Sequence, residues 1–464
     1  CLLSKSECVM DSDIEVNAYG KPSSYYEIPP AYTDSIRYFV EVTERQLVAE
    51  DISWTEYLIP DLSELCNKVI IENFNKFTGS LNSLEEDDRR YIIKNLNRIS
   101  LHIAVPLIDD EDYWKRQCID RWPMARVSMH GNSYKRMYLE QNLTYALEFF
   151  KPDISTTQEI EELLPLCSEY VEKLNITQLQ KKDENYDDQS AAPGSSDDFV
   201  EPTRLNFVDI FSKLPKLKDV SMFFGKNNVG LSFEWSVVHT RYEDVLNVCQ
   251  ALECVPQLEC LRIHCSLLNC EWTTEICKQL VNHHGLVTLD LSNNMIGNDG
   301  GKALAFVMQS PQSRIKTIKV TNNLIGCTGA TAIAFALQTN KCLTKLDMGL
   351  NRIGNRGLKN LGKALLKNNT LTELNVNTNQ FADEGVEGLL SALEHNKSIT
   401  VLDLSCNTIS EGLGKKLQNV IRLNKYLLTL DLRLTGSGME IEPAVTSQLK
   451  YNLKQTGKQF YYCL

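Results

Sequence analysis

The sequence predicts an α/β fold: a curved solenoid with parallel strands on its concave face and helices on its convex face, preceded by a mainly helical N-terminal domain. Three observations predict it. A phrase of the form L-x-x-L-x-L-x-x-N returns as LVTLDLSNN (Leu286–Asn294), IKTIKVTNN (Ile315–Asn323), LTKLDMGLN (Leu343–Asn351), LTELNVNTN (Leu371–Asn379) and ITVLDLSCN (Ile399–Asn407). Another copy, LLTLDLRLT, runs from Leu427 and ends on Thr435, and a degraded one, LECLRIHCS, starts at Leu258. The first positions 258, 286, 315, 343, 371, 399 and 427 keep a constant step, except for a single extra residue between 286 and 315. Between the phrases, apolar residues change from alternation to helical spacing.

A fixed period of that length carrying this phrase is the leucine-rich-repeat signature. The fourth and sixth residues, such as Leu289 and Leu291, point one way from a short strand, and their neighbours point the other way. One such strand cannot bury its face alone, so successive repeats must stack into a parallel sheet. The ninth-position residues Asn294, Asn323, Asn351, Asn379 and Asn407 form a structural column, because their amides can satisfy backbone groups of the turn and of the next repeat. In the second half of the repeat, Leu358, Leu361 and Leu365 follow helical spacing while Lys359, Lys363 and Lys367 face away. Asn368 and Asn369 then break the helix. The period with a full helix per repeat resembles the ribonuclease-inhibitor subclass.

Taken in order, residues 1–34 read as an extended or flexible tail containing Pro29 to Tyr32. Residues 35–165 read as a helical domain, with a helix start like a capping box at Ser83 and a stripe of Tyr91, Ile92, Leu96 and Ile99. The solenoid is expected over 166–435, its first atypical strands at VEKLNITQL (Val171–Leu179) and LKDVSM (Leu217–Met222). An insertion at 180–203 is acidic, bears Ser, Pro and Gly, and is expected to be disordered. Residues 436–464 read as a C-terminal cap whose helix carries Val445, Leu449 and Leu453.

With 464 residues the chain has room for two or three domains. Its net charge of −12 argues against general nucleic-acid binding, which needs basic patches. No apolar run is long enough for a membrane span. The chain opens at Cys1 rather than Met, which leaves open an upstream start or a removed signal peptide. Six of its 15 cysteines fall between Cys249 and Cys277 without a C-x-x-C pair, so they read as small buried side chains in a reducing compartment and not as a metal site. No catalytic triad, phosphate loop or H-E-x-x-H helix is present, and neither enzyme activity, cofactor nor small-molecule ligand is expected.

Two surfaces are candidates for protein binding. On the concave face the central column reads Asp290, Lys319, Asp347, Asn375, Asp403, Asp431, and the next column Ser292, Thr321, Gly349, Asn377, Ser405, Arg433. Its four carboxylates suit a basic segment of another protein. The second is an aromatic and basic block upstream: Trp114, Lys115, Arg116, Arg121, Trp122, Tyr134, Lys135 and Arg136. The nearby acids Asp109, Asp110, Glu111 and Asp112 favour packing and ion pairing there over stacking on nucleotides.

The phrase DEDYWKRQCIDRW (Asp110–Trp122), followed by SYKRMYLEQNL (Ser133–Leu143) and then these repeats, resembles the dynein regulatory complex subunit 5 family, also called the T-complex-associated testis-expressed family. The resemblance runs from about Pro60 to the C-terminus. It implies a non-enzymatic scaffold of the nexin link in motile cilia and flagella, located on the axoneme within the cytoplasm and cytoskeleton. The partners it implies are other dynein regulatory complex subunits and axonemal proteins. The same Trp114–Trp122 cluster also resembles the segment after an F-box in some ubiquitin-ligase adaptors, although no F-box helix precedes it. The repeats by themselves are similar to those of Ran GTPase-activating proteins as well.

Overall fold

A computed structural model describes residues 62–150, 157–179, 205–225, 238, 240–438 and 441–456. The tail expected at 1–34, the insertion at 180–203 and the final residues 457–464 lie outside them. The described residues fall into two compact units divided between Ile99 and Ser100, and the boundary expected at 165/166 lies inside the second.

In the first unit, helices α1 (Leu62–Glu72), α2 (Phe74–Phe77) and α3 (Glu86–Asn95) are joined by a 3₁₀ turn at Thr78–Ser83. Ser83 closes that turn and does not cap α3, whose N-cap residue is Glu85 and makes no side-chain capping bond. Ile92 and Leu96 of the expected stripe are buried, while Tyr91 faces outward. Asn67 Nδ2 and Ser63 Oγ donate to Asp88 Oδ1 at 2.7 and 2.8 Å. These bonds, Asn67 first, hold the Asp88 carboxyl below its usual range.

The second unit opens with four helices: α4 (Leu101–Leu107), α5 (Glu111–Arg121), α6 (Tyr134–Glu148) and α7 (Gln158–Cys167). Nine strands follow, β1 (Lys173–Ile176), β2 (Asp219–Met222), β3 (Cys260–Ile263), β4 (Thr288–Asp290), β5 (Thr317–Lys319), β6 (Lys345–Asp347), β7 (Glu373–Asn375), β8 (Val401–Asp403) and β9 (Thr429–Asp431). They form a single parallel sheet in sequence order. Its register is that of the repeat: Leu289 faces Ile318, Ile318 faces Leu346, and Leu346 faces Leu374. The crossover after each strand carries a helix: α8 (Phe207–Ser212), which precedes β2, then α9 (Tyr242–Glu253), α10 (Cys270–Leu280), α11 (Asn298–Gln309), α12 (Cys327–Leu337), α13 (Gly354–Leu365), α14 (Asp383–His395), α15 (Glu411–Leu423) and α16 (Ile441–Thr456).

The core lies between sheet and helices. Leu286, Leu289 and Leu291 are buried, and so are their counterparts Leu343, Leu346 and Met348 two repeats along. Each such side chain contributes roughly 1.5–3 kcal/mol on burial. Leu358, Leu361 and Leu365 of α13 close the layer from the other side. Helices α13 and α14 approach so closely that a Cβ on Gly362 would meet the Gly388 carbonyl oxygen and lie 3.0 Å from Leu389 Cα.

The turn after each of β3 to β9 uses a left-handed residue just before the position of the asparagine column. Asn293 and Asn322 suit it, but Cys265, Leu350, Thr378, Cys406 and Leu434 also sit at φ between 49° and 58°. A non-glycine side chain costs roughly 1–2 kcal/mol there, less for Asn. Leu350 is exposed, so little packing offsets that cost. Leu350→Asn is therefore expected to raise stability by about 1 kcal/mol in urea unfolding, and an unchanged or lower midpoint would contradict the assignment of strain.

Candidate interaction surfaces

The asparagine column behaves as a joint between repeats. Asn351 Nδ2 donates to the carbonyls of Val320 at 2.9 Å, Met348 at 3.1 Å and Gly349 at 3.0 Å, while its Oδ1 accepts Ile325 N at 3.0 Å. Asn294, Asn323, Asn379 and Asn407 are buried in the same way. At Thr435 the hydroxyl donates to Leu432 O at 2.7 Å and the backbone carbonyl accepts Ile409 N, so the last repeat closes without the amide.

A second column was not singled out in the sequence. Asn340, Asn368, Asn396 and Asn424 are all buried just past the ends of successive helices, and Asn452 continues the column from within α16. Asn368 Nδ2 donates to Leu337 O at 2.8 Å and Asn340 O at 3.1 Å, and its Oδ1 accepts Thr370 N and Leu371 N at 3.0 and 2.8 Å. One asparagine thus terminates its own helix and stitches it to the previous one. The signal was present, because these asparagines recur with the same period as the strand phrase.

On the concave face the register aligns Asp290, Lys319, Asp347, Asn375, Asp403 and Asp431 across adjacent strands. Most of these residues use one oxygen internally. Asp290 accepts Ser292 N, Asp347 accepts Gly349 N, Asn375 accepts Asn377 N, Asp403 accepts Ser405 N and Asp431 accepts Arg433 N, at 2.9–3.1 Å. Each is an Asx-type turn that ends the strand. Lys319 lacks that option and lies 3.9 Å from Asp290, with Thr321 beyond it. Asn377 Nδ2 reaches Asp403 Oδ2 at 3.3 Å and covers Gly349, where a Cβ would collide with the amide.

Arg433 spans Asp431 with two Nε contacts at 3.0 Å and one Nη2 contact at 2.5 Å. The Arg433 hydrogen bonds hold the Asp431 carboxyl below its ordinary range. With its folded value depressed, Asp431 stabilises the fold above the ordinary aspartate range, and that contribution is lost as pH falls through the depressed value. Arg433→Ala is expected to return the Asp431 titration toward the ordinary range in carboxyl NMR, and an unmoved titration would refute the pairing. At the other end, Arg262 pairs with Asp219 at 2.8 and 3.0 Å. The acidic bias expected of this face therefore narrows to Asp347 and Asp403, which have no cation within ion-pair distance among the described residues.

The aromatic and basic block is not one exposed patch. Trp114 is 1% exposed, packs edge-on against Tyr113 and beside Tyr138, and donates its Nε1 to Ile108 O at 2.9 Å. Lys135 is 4% exposed, ion-pairs with Asp109, and lies over the rings of Trp114 and Tyr170. Trp114 and Lys135 therefore make the packing and ion pairing that the nearby acids favour and present no free surface for docking: the ring and the apolar stem are buried, and the ammonium meets an exposed carboxylate at the rim. Arg136 pairs with Glu140 and Glu172 at 2.8 and 2.9 Å. Lys115 and Arg116 stay exposed, Tyr134 and Trp122 are half-buried, and Arg121 lies between the Trp122 and Tyr145 rings while donating to Asn142 Oδ1.

What α6 does is protect the open edge of the sheet. Glu140, 2% exposed, accepts Glu172 N and Lys173 N at 2.9 Å through Oε1, which also takes Arg136 Nε at 2.8 Å, and its Oε2 meets His130 Nδ1 at 2.5 Å. Two turns further along the helix, Glu148 accepts Thr177 N and Oγ1 at 2.5 and 2.8 Å, although burial raises its carboxyl affinity for protons. Edge-strand N–H groups that would otherwise recruit another chain are thus satisfied by two helix carboxylates.

The described cysteines are free thiols. Burial pushes Cys118, Cys167 and Cys249 up to about 12, so these thiols stay protonated. No group of three or more His, Cys, Asp or Glu suited to a metal ion occurs among the described residues, and none of the described helices is long and apolar enough to cross a membrane.

A leucine-rich-repeat family model matches residues 282–305, 339–362, 367–390 and 395–411. The human dynein regulatory complex subunit 5 is 31% identical over 267 residues, 56% of this chain and 53% of that protein. Its mouse counterpart is 30% identical over 268 residues, 56% of this chain and 54% of that protein. The protein of the same name from Chlamydomonas reinhardtii is 26% identical over 198 residues, 42% of this chain and 45% of that protein. The chain spans about half the length of these relatives.

Proposed function

We propose, on the premise that this leucine-rich-repeat chain belongs beside dynein regulatory complex subunit 5, that it is a non-enzymatic scaffold of the dynein regulatory complex in motile cilia and flagella. The observation that carries the reading is the 31% identity to the human subunit over 267 residues. The partners are other subunits of that complex and neighbouring axonemal proteins, and the location is the axoneme within the cytoskeleton.

The physical features support a rigid adaptor. A sheet pinned by buried asparagine columns from Asn294 to Asn407 on the strand side and from Asn340 to Asn452 on the helix side resists bending, and a capped first edge directs association to side-chain surfaces instead of strand addition. Asp347, Asn375 and Asp403, with Asn377 and Ser405 beside them, form a docking strip for a basic segment. Loss of the protein in ciliated cells is expected to alter waveform or beat frequency while cilia still assemble. Normal beating in its absence, recorded by high-speed video, would overturn the reading.

A further inference from the structure

The helical face carries a feature that the scaffold reading does not use. Phe306 on α11 and Phe335 on α12 are 65% and 64% exposed. They are separated by one repeat step, and so occupy the same ridge position on adjacent helices. The groove between them is lined by Ala305, Thr328, Thr331 and Ala332. Helix α12, CTGATAIAFAL, contains no charged residue at all. One repeat further the ridge position is Lys363, on a helix whose exposed row is Arg356, Lys359 and Lys363.

None of these three cations has a carboxylate within ion-pair distance among the described residues, in a chain of net charge −12. On the other flank Lys302 is already paired with Asp299 at 2.8 Å. The basic row is tied to the apolar ridge by Asn360 Nδ2 to Thr331 Oγ1 at 2.9 Å and Lys367 Nζ to Gln338 Oε1 at 3.1 Å. Beyond it α14 turns acidic with Glu384 and Glu387, which bounds the site on that side.

We propose that the outer face of α11–α13 is a docking surface for an acidic amphipathic helix of a partner protein. Packed helices lie roughly 8–10 Å apart, and seven helical residues span about 10.5 Å. A helix laid across the ridges therefore sets apolar side chains at i and i+7 against Phe306 and Phe335. Its carboxylates near i+11 and i+14 then meet Lys359 and Lys363. Charge complementarity fixes the direction in which it lies, because the opposite direction brings its acids over α10, where Lys278 is already paired with Glu275 at 2.7 Å and Glu271 is exposed. The surface is independent of the concave strip, and its test does not depend on axonemal location.

The test is fluorescence anisotropy with the full chain and two labelled synthetic helices. One carries Leu at i, i+3 and i+7 with Glu at i+11 and i+14, and the other has Lys in place of those Glu residues. The acidic helix is expected to bind saturably, at least tenfold tighter than the basic one, and to weaken at least tenfold in Phe335→Ser. Lys359→Glu with Lys363→Glu should reverse the preference between the two helices. Thermal melts of the variants, followed by circular dichroism, check that these exposed substitutions leave the fold intact. The proposal is overturned by an absence of saturable binding or by binding that both variants leave unchanged. It is equally overturned if phosphatidylserine vesicles or poly(U) bind the same face and the acidic helix fails to displace them.

Discussion

Glu140→Ala is expected to destabilise the N-terminal end of the solenoid by roughly 3–5 kcal/mol, the cost of removing one partner from a buried ion-pair network. The carboxylate serves His130, Arg136 and the backbone N–H groups of Glu172 and Lys173. Alanine leaves His130 Nδ1 and the two edge amides without the carboxylate they share, and Arg136 keeps only Glu172. Glu140→Gln retains one oxygen for the amides but turns an NH₂ toward a donor, so it should recover only part of the loss. Because a solenoid need not unfold as one unit, the probe must be local. Fluorescence of Trp114 and Trp122, which flank α6 through Tyr138, reports this end of the sheet once Trp54, Trp235 and Trp272 are replaced by Phe. An unchanged urea midpoint in Glu140→Ala would show that the edge is not held this way.

Asn368→Ala is expected to cost roughly 2–4 kcal/mol, since it strands buried carbonyls of Leu337 and Asn340 and the amides of Thr370 and Leu371. The adjacent Asn369 is exposed. Asn369→Ala should stay within about 0.5 kcal/mol of the wild type. Two neighbouring residues of the same type thus give opposite outcomes in one urea-denaturation experiment. Equal effects at both positions would contradict the role given to the second asparagine column.

The repeats were legible in the sequence because each Leu and Asn sits at a fixed offset, and stacking converts that offset directly into register. Leu289, Leu346 and Leu402 occupy the buried face that the phrase assigns them. Residues whose role depends on a distant partner were harder to read. The pairing of Lys135 with the nearby acids was legible, but its contact with the Tyr170 ring, beyond the next helix, was not. Glu140 has no periodicity, and its partners at Glu172 and Lys173 lie a whole helix downstream of its own. The aspartate column was read as charge facing a groove, whereas the local geometry spends one oxygen of each on its own turn. Phe306 and Phe335 were hidden because an exposed aromatic in an apolar helix has the same pattern as a buried one.

The central claim, an axonemal scaffold, is tested most directly by fractionating ciliated cells that express the full chain. After detergent extraction and a high-salt wash, the protein is expected to remain with the axonemes and to cross-link there to other dynein regulatory complex subunits. Recovery of the protein wholly in the soluble fraction, with no such cross-links, would contradict the account.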